Sequence, residues 1–351
     1  MRTGILLLLG LFIIGCEEQK TVFVPHNFTS LSQEVIYEDS ISIRSLEILN
    51  DGNLAFAGSN GTYGLYNPKN KQWRTGTITG DSLNPDFRAT AHTATDFLML
   101  SIESPALLYK TSTAGSMQLV YAEEDPKAFY DAMRFWNDKE GIAIGDPTSG
   151  CLSIIITRDG GKVWTKLPCD QLPELAEGEA AFAASNTNIA TYEENTWIIT
   201  GGKHSRVYYS PDKGQTWEVK ETPIVQGTET QGGYSIDFYD EKIGFVLGGD
   251  YTQPENNQKN KMLTQDGGNS WSLVAQGAQP GYQSCVQFVP RSEGNELISM
   301  GFTGVFYSED KGRSWKKLSD EGYYSFRFVN DTTAYAAGNG RISKINFAER
   351  E

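Results

Sequence analysis

Residues 210–217 read "SPDKGQTW". The same grammar, Ser/Thr-x-Asp-x-Gly-x-x-Trp, recurs as "TRDGGKVW" ending at Trp164, "TQDGGNSW" at Trp271 and "SEDKGRSW" at Trp315. With Trp217, these tryptophans stand 53, 54 and 44 residues apart. One copy would be a chance turn. Four copies with constant internal spacing are a repeat, and a period of this size points to a solenoid, a propeller or another array. Two eroded copies lie upstream. "TSTAGSMQ" (111–118) keeps Thr111 and Gly115 but carries Thr113 and Gln118 for Asp and Trp, and "YNPKNKQW" (66–73) keeps Trp73.

The residues around each box share a second pattern. In 129–167, "FYDAMRFW", "GIAIG", "CLSIIIT" and "VWTKL" are four short apolar or alternating runs, separated by "NDKE", "DPTSG" and "RDGGK". Such runs bounded by turn residues read as strands. The unit recurs over 182–219, 234–274 and 284–318, and more loosely over 42–73 and 87–121. Four-stranded units repeated radially make a β-propeller. The expectation is therefore an all-β, seven-bladed propeller of four-stranded antiparallel blades. Residues 324–347 supply only three strands of the last blade. "TVFV" (21–24) or "EVIY" (34–37) is expected to complete it, because an open blade edge invites aggregation.

The box then falls between the third and fourth strands of a blade. Its Gly supplies a positive φ, its Asp accepts turn amides, and its Trp packs between blades. Asp159, Asp212, Asp266 and Asp310 read as structural, as do Trp164, Trp217, Trp271 and Trp315. The box resembles the Asp-box, or bacterial neuraminidase repeat, found in sialidases and in many non-enzymes. Residues 42–348 also resemble propellers related to photosystem II stability/assembly factors, through "FWNDKEGIAIGDP", "GEAAFAAS", "TGG…RVYYSPDKGQTW", "GGDY" and "DGGNSW". That resemblance implies the propeller fold. Bacterial relatives carry labels such as oxidoreductase or glycosyl hydrolase, and fold alone does not decide among these.

The chain opens "MRTGILLLLGLFIIGCEEQK". The apolar run is too short to span a membrane and matches a signal peptide. Its Gly15-Cys16 end resembles a lipoprotein signal. The expected organisation is a signal peptide over 1–15, a lipidated N-terminus and tether over 16–25, and one propeller over 26–351. Lipidation at Cys16 would anchor the protein in the cell envelope, periplasmic or surface-exposed. Without Arg2, 29 basic residues against 44 acidic ones leave a charge of −15, which disfavours nucleic acid as a partner. A hairpin turning near Gly160 places Cys151 opposite Cys169. Either a disulfide or a reduced pair fits that arrangement, while Cys285 sits in an apolar run and reads as core.

Propeller strands alternate direction, so box turns share one face with the turns between first and second strands. The long loops 146–150, 168–181, 201–206, 223–233 and 248–261 gather on the other face. Binding residues usually lie on such loops. The candidates are Asp146, Glu177, Glu179, Lys203, His204, Arg206, Asp250 and Tyr251, with Arg44, Arg134 and Arg327 from inner strands. The reading is a monomeric, non-enzymatic scaffold holding an envelope protein or a glycan on this face. A glycan hydrolase of sialidase-like fold is the alternative, with Asp146, Glu179 and Asp250 as its carboxylates. An envelope oxidoreductase is a second alternative. No catalytic residue is assigned and no cofactor is expected. His26, His92 and His204 are scattered, and no Cys/His spacing fits zinc.

Overall fold

A computed structural model describes residues 23–79, 84–112 and 115–349. Seven antiparallel blades of four strands form a propeller with essentially no helix, and two short inner strands widen the blade 5 sheet to six. Blade 1 runs Ser45–Ile48, Leu54–Ala57, Thr62–Asn67 and Gln72–Thr77 from the axis outward. The inner strands of blades 2 to 7 are Phe87–His92, Tyr130–Phe135, Ile189–Tyr192, Gln231–Phe238, Cys285–Phe288 and Ser325–Asn330. These first strands touch one another in ring order.

The ring is closed by both ends of the chain. The strand Phe28–Ser42, which contains "EVIY", pairs with Asn339–Glu349 on the outer edge of blade 7, with Val35 opposite Ser343. Of the two runs anticipated for this role, the second does the work. Residues 1–22, and with them Cys16, lie outside the described residues.

The four boxes sit between third and fourth strands. Two successive residues in each hold positive φ: Gly160 and Gly161, Lys213 and Gly214, Gly267 and Gly268, Lys311 and Gly312. Gly is the residue that adopts this conformation without a steric cost. Asp212 Oδ1 accepts from Ser210 Oγ at 2.9 Å and from the amides of Gln215 and Thr216 at 2.9 and 2.8 Å. Asp159, Asp266 and Asp310 repeat this pattern with one or two turn amides each. Partial burial pushes all four carboxyls up, but the donated hydrogen bonds outweigh it and leave them below the ordinary carboxylate range. Each Trp packs against the preceding blade: Trp164 on Leu98, Trp217 on Ile156 and Trp271 on Trp197.

Cys151 and Cys169 form a disulfide with Cα atoms 5.5 Å apart. The hairpin register differs by one residue from that expected, with Ile156 opposite Thr165. Cys169 instead opens a short 3-10 turn, Cys169–Gln171. Cys285 is fully buried.

Candidate functional site

The unit expected over 182–219 begins differently in the structure. Only Ile189–Tyr192 forms the inner strand of blade 4. The residues before it enter the central channel. Ala184 O accepts from Arg44 Nη1 of blade 1 at 3.3 Å. Ser185 O accepts from Ser325 Oγ of blade 7 at 2.9 Å, and Ser185 Oγ donates to Ser284 O, which leads into blade 6. Asn186 Nδ2 donates to Thr90 O of blade 2 at 2.8 Å, while its Oδ1 accepts Met133 N of blade 3 at 2.9 Å. Thr187 O accepts Ile236 N of blade 5 at 2.8 Å. Residues 184–187 thus bond to all six other blades. Asn186 stands at φ 59°, a left-handed value that Asn tolerates better than most residues. This plug divides the channel into two mouths.

The mouth on the box-turn side gathers residues near the ends of inner strands. Glu47 lies 3.1 Å from His92, 3.5 Å from Arg134 and 3.6 Å from Arg327. Burial raises Glu47, but His92 and the two guanidinium groups outweigh it and hold the carboxyl low. Burial and the neighbouring Arg327 bring Arg134 down to about 10. Both arginines also donate to Asn186 O, at 2.7 and 3.4 Å. Asp237, beside them, is pushed up to about 6 by burial. The sequence reading put Arg134 and Arg327 on the loop-rich face. The structure places them at the opposite mouth, because each projects from well inside its strand rather than from its start.

The loop-rich mouth is built from strand starts and second-strand ends. On one side, rings form a continuous cluster. Phe182 stacks on Tyr234 at 4.2 Å, Tyr234 meets Tyr282 at 4.8 Å, and Tyr282 meets Phe302 at 5.1 Å. Tyr251 contacts both Tyr234 and Tyr282. Tyr251 is 49% exposed and Phe302 45%, so the cluster presents ring surface to solvent. Arg44 lies 4.1 Å over the Tyr324 ring.

The other side is charged. Arg88 pairs with Asp86 at 3.1 Å. Asp131, the second residue of its strand, is fully buried, and neither carboxylate oxygen has a hydrogen-bond partner. Burial, and then the nearby Asp146, raise it well above the carboxylate range against the pull of Arg88. Burial lifts Asp146 itself to about 6, although it accepts Ala181 N at 2.8 Å. Two neighbouring carboxyls are thus biased toward the protonated form.

Of the other candidates, Tyr251 and Asp146 lie in this mouth. Glu179 and Arg206 do not present themselves to a ligand. They are buried and paired, with Arg206 Nε 3.1 Å from Glu179 Oε2, and Thr200 Oγ1 and Tyr208 OH donate to the same carboxylate. This network anchors the ladder Glu179–Ala180 with Gly201–Gly202, which extends blade 5 inward. Asp250 is turned into its own loop, accepting from Thr252 N and Oγ1 at 2.9 and 2.6 Å. Lys203 and Glu177 form an exposed pair at 3.9 Å, and His204 is exposed. The three carboxylates proposed for hydrolysis therefore sit in three separate networks. Among the described residues, no group of three or more His, Cys, Asp or Glu is placed to hold a metal ion.

The chain has the fold of solved propellers. A structure titled YCF48 bound to D1 peptide matches 94% of this chain and 100% of its own, at TM-score 0.65 and 12% identity. Virginiamycin B lyase from Staphylococcus aureus matches 90% and 99%, at TM-score 0.66 and 8% identity. The WD40 repeats of RRP9 match 93% and 100%, at TM-score 0.62 and 11% identity. No protein-family profile matches the chain, and no curated protein matches its sequence.

Proposed function

We propose that this chain is a non-enzymatic scaffold that binds a protein segment on its loop-rich face. The observation that carries the reading is the aromatic cluster at that mouth, with Tyr251 and Phe302 half exposed above buried Tyr234 and Tyr282. Aromatic side chains offer large contact area at low entropic cost and are enriched where proteins bind one another. The plug supports the same reading, since a ligand meets a closed floor rather than a conduit. Likeness to a propeller solved with a peptide and to WD40 repeats adds support at the level of fold. The proposal extends to place: the Gly15-Cys16 junction supports anchoring to the envelope through acyl chains.

The test is capture of partners from the native envelope by the full-length protein, beside a Tyr251→Ser/Phe302→Ser variant. One defined protein lost by the variant supports the proposal. A partner set unchanged by the variant overturns this location. A second reading, glycan hydrolysis, draws on Asp131 and Asp146, whose raised carboxyls suit a general acid. Glycan turnover abolished by Asp146→Asn would favour it.

A further inference from the structure

The box-side mouth holds two adjoining cavities of about 220 and 350 Å³, and Glu47, Asp237, Gln287 and Arg327 line both. Arg134 and the plug residue Thr187 close the inner one. The inner strands of blades 1, 3, 5 and 7 therefore bring two guanidinium groups and two carboxyls to one space.

These four groups do not satisfy one another. Glu47 Oε2 faces His92 Nδ1 at 3.1 Å. Its other oxygen, Oε1, is shared by Arg134 at 3.5 Å, Arg327 at 3.6 Å and Asn186 Nδ2 at 3.5 Å. A close guanidinium–carboxylate hydrogen bond stands at about 2.7–2.9 Å, and a single oxygen offers lone pairs to two donors rather than three. Both guanidinium groups are thus left short of negative charge. Carbonyls nevertheless hold them in place, Asn186 O on Arg134 at 2.7 Å and Phe326 O on Arg327 at 2.8 Å. Asp237 has the opposite deficit. It accepts the Phe288 amide at 2.7 Å, but the ion pairs of this mouth leave it out among the described residues. Burial therefore keeps its carboxyl raised, and the amides and the more distant arginines offset only part of the shift.

We propose that this cavity binds a small zwitterion, an α-amino acid of few heavy atoms, with its carboxylate toward Arg134 and Arg327 and its ammonium toward Asp237. A simple anion would serve the arginines, stand close to Glu47 and leave Asp237 unpaired. A simple cation would serve Asp237 and leave the arginines as they are. The zwitterion supplies both missing charges and adds no net charge to a half-buried site. A few placed polar groups that fix a ligand's orientation are the usual source of specificity in small sites. The arginines are already held by backbone carbonyls, so little side-chain ordering remains to oppose binding. The plug separates this site from the aromatic mouth, and the two are independent.

The test is calorimetric titration of the full-length protein with L-alanine, and separately with propionate and ethylamine, each of which keeps one of the two charged groups. L-alanine is expected to bind one to one with a Kd at or below about 1 mM, inside the ligand-efficiency ceiling for about six heavy atoms. Propionate and ethylamine are expected to bind at least about tenfold more weakly. Asp237→Asn removes the charge that meets the ammonium and keeps an oxygen for the Phe288 amide. It should weaken L-alanine at least about tenfold and leave propionate unchanged. Should that variant fail to fold, Gln287→Trp obstructs both cavities without altering a charge and should weaken L-alanine as strongly. No saturation by L-alanine at about 10 mM, propionate or ethylamine binding as tightly as L-alanine, or undiminished L-alanine binding in a folded variant would overturn the proposal.

Discussion

The carbonyl oxygen of Asn186 accepts the Nη2–H of Arg134 at 2.7 Å, while the Asn186 side chain bonds the blade 2 and blade 3 backbones. One residue of the connection between blades 3 and 4 therefore ties the inner strands of blades 2 and 3 to the axis. Asn186→Ala would remove the side-chain bonds to the Met133 amide and the Thr90 carbonyl and would put Ala, which tolerates the left-handed region less well than Asn, at φ 59°. The expected loss is about 2–4 kcal/mol of stability, checked by urea denaturation.

The buried Glu179–Arg206 pair predicts an asymmetric result. Arg206→Met strands a buried carboxylate and should cost about 3–5 kcal/mol. Glu179→Gln combined with Arg206→Met should recover part of that loss, because no charge is then left unpaired. A double-mutant cycle on unfolding midpoints reads the difference.

Removing residues 1–42 strips the outer strand from blade 7. It also exposes the long edge Asn339–Glu349 and removes buried Phe28 and Ile41 from the core. The truncated chain is expected to lose its cooperative thermal transition and to elute as aggregate in size-exclusion chromatography.

Asp146 and Asp237 both stand at about 6 in the folded chain, above the value of an unfolded aspartate. The folded state therefore binds more protons between about pH 4 and pH 6. Their contribution is fully present below that window and is lost as pH rises through it. Asp237→Asn should abolish its share of this fall, so the variant gains on the wild type by about 2–3 kcal/mol from pH 4 to pH 7.5. Melting curves across that range check the sign. Carboxyl NMR should give Asp146 a midpoint near 6 and place Asp131 well above an ordinary aspartate.

The sequence made the ring legible because the box is local: its Ser/Thr, Asp, Gly and Trp satisfy one another within eight residues. Blade 7 was readable for a related reason, since three strands without a fourth require a partner. The plug was not readable, because "FAASN" has the composition of an inner strand and its bonds reach up to 141 residues away. A signal for the loop-rich mouth was present but unused. Gly-Tyr followed by Ser marks the start of three inner strands, as "GYS" (233–235), "GYQS" (281–284) and "GYYS" (322–325). The tyrosines build the mouth, and the serines bond the plug or its neighbours. Asp131 was also visible as an acid inside an apolar strand, an anomaly that marks burial with a purpose.

A ring of repeats would ordinarily lose its units one at a time, since each touches only its neighbours. The plug changes the connectivity from a necklace to a wheel with a hub. Residues 184–187 are made before blades 4 to 7, yet they hold bonds to blades 1, 2, 3, 5, 6 and 7. The later half of the chain must assemble around a spindle laid down by the earlier half. Damage to any one blade is then transmitted to the axis rather than to the next blade alone.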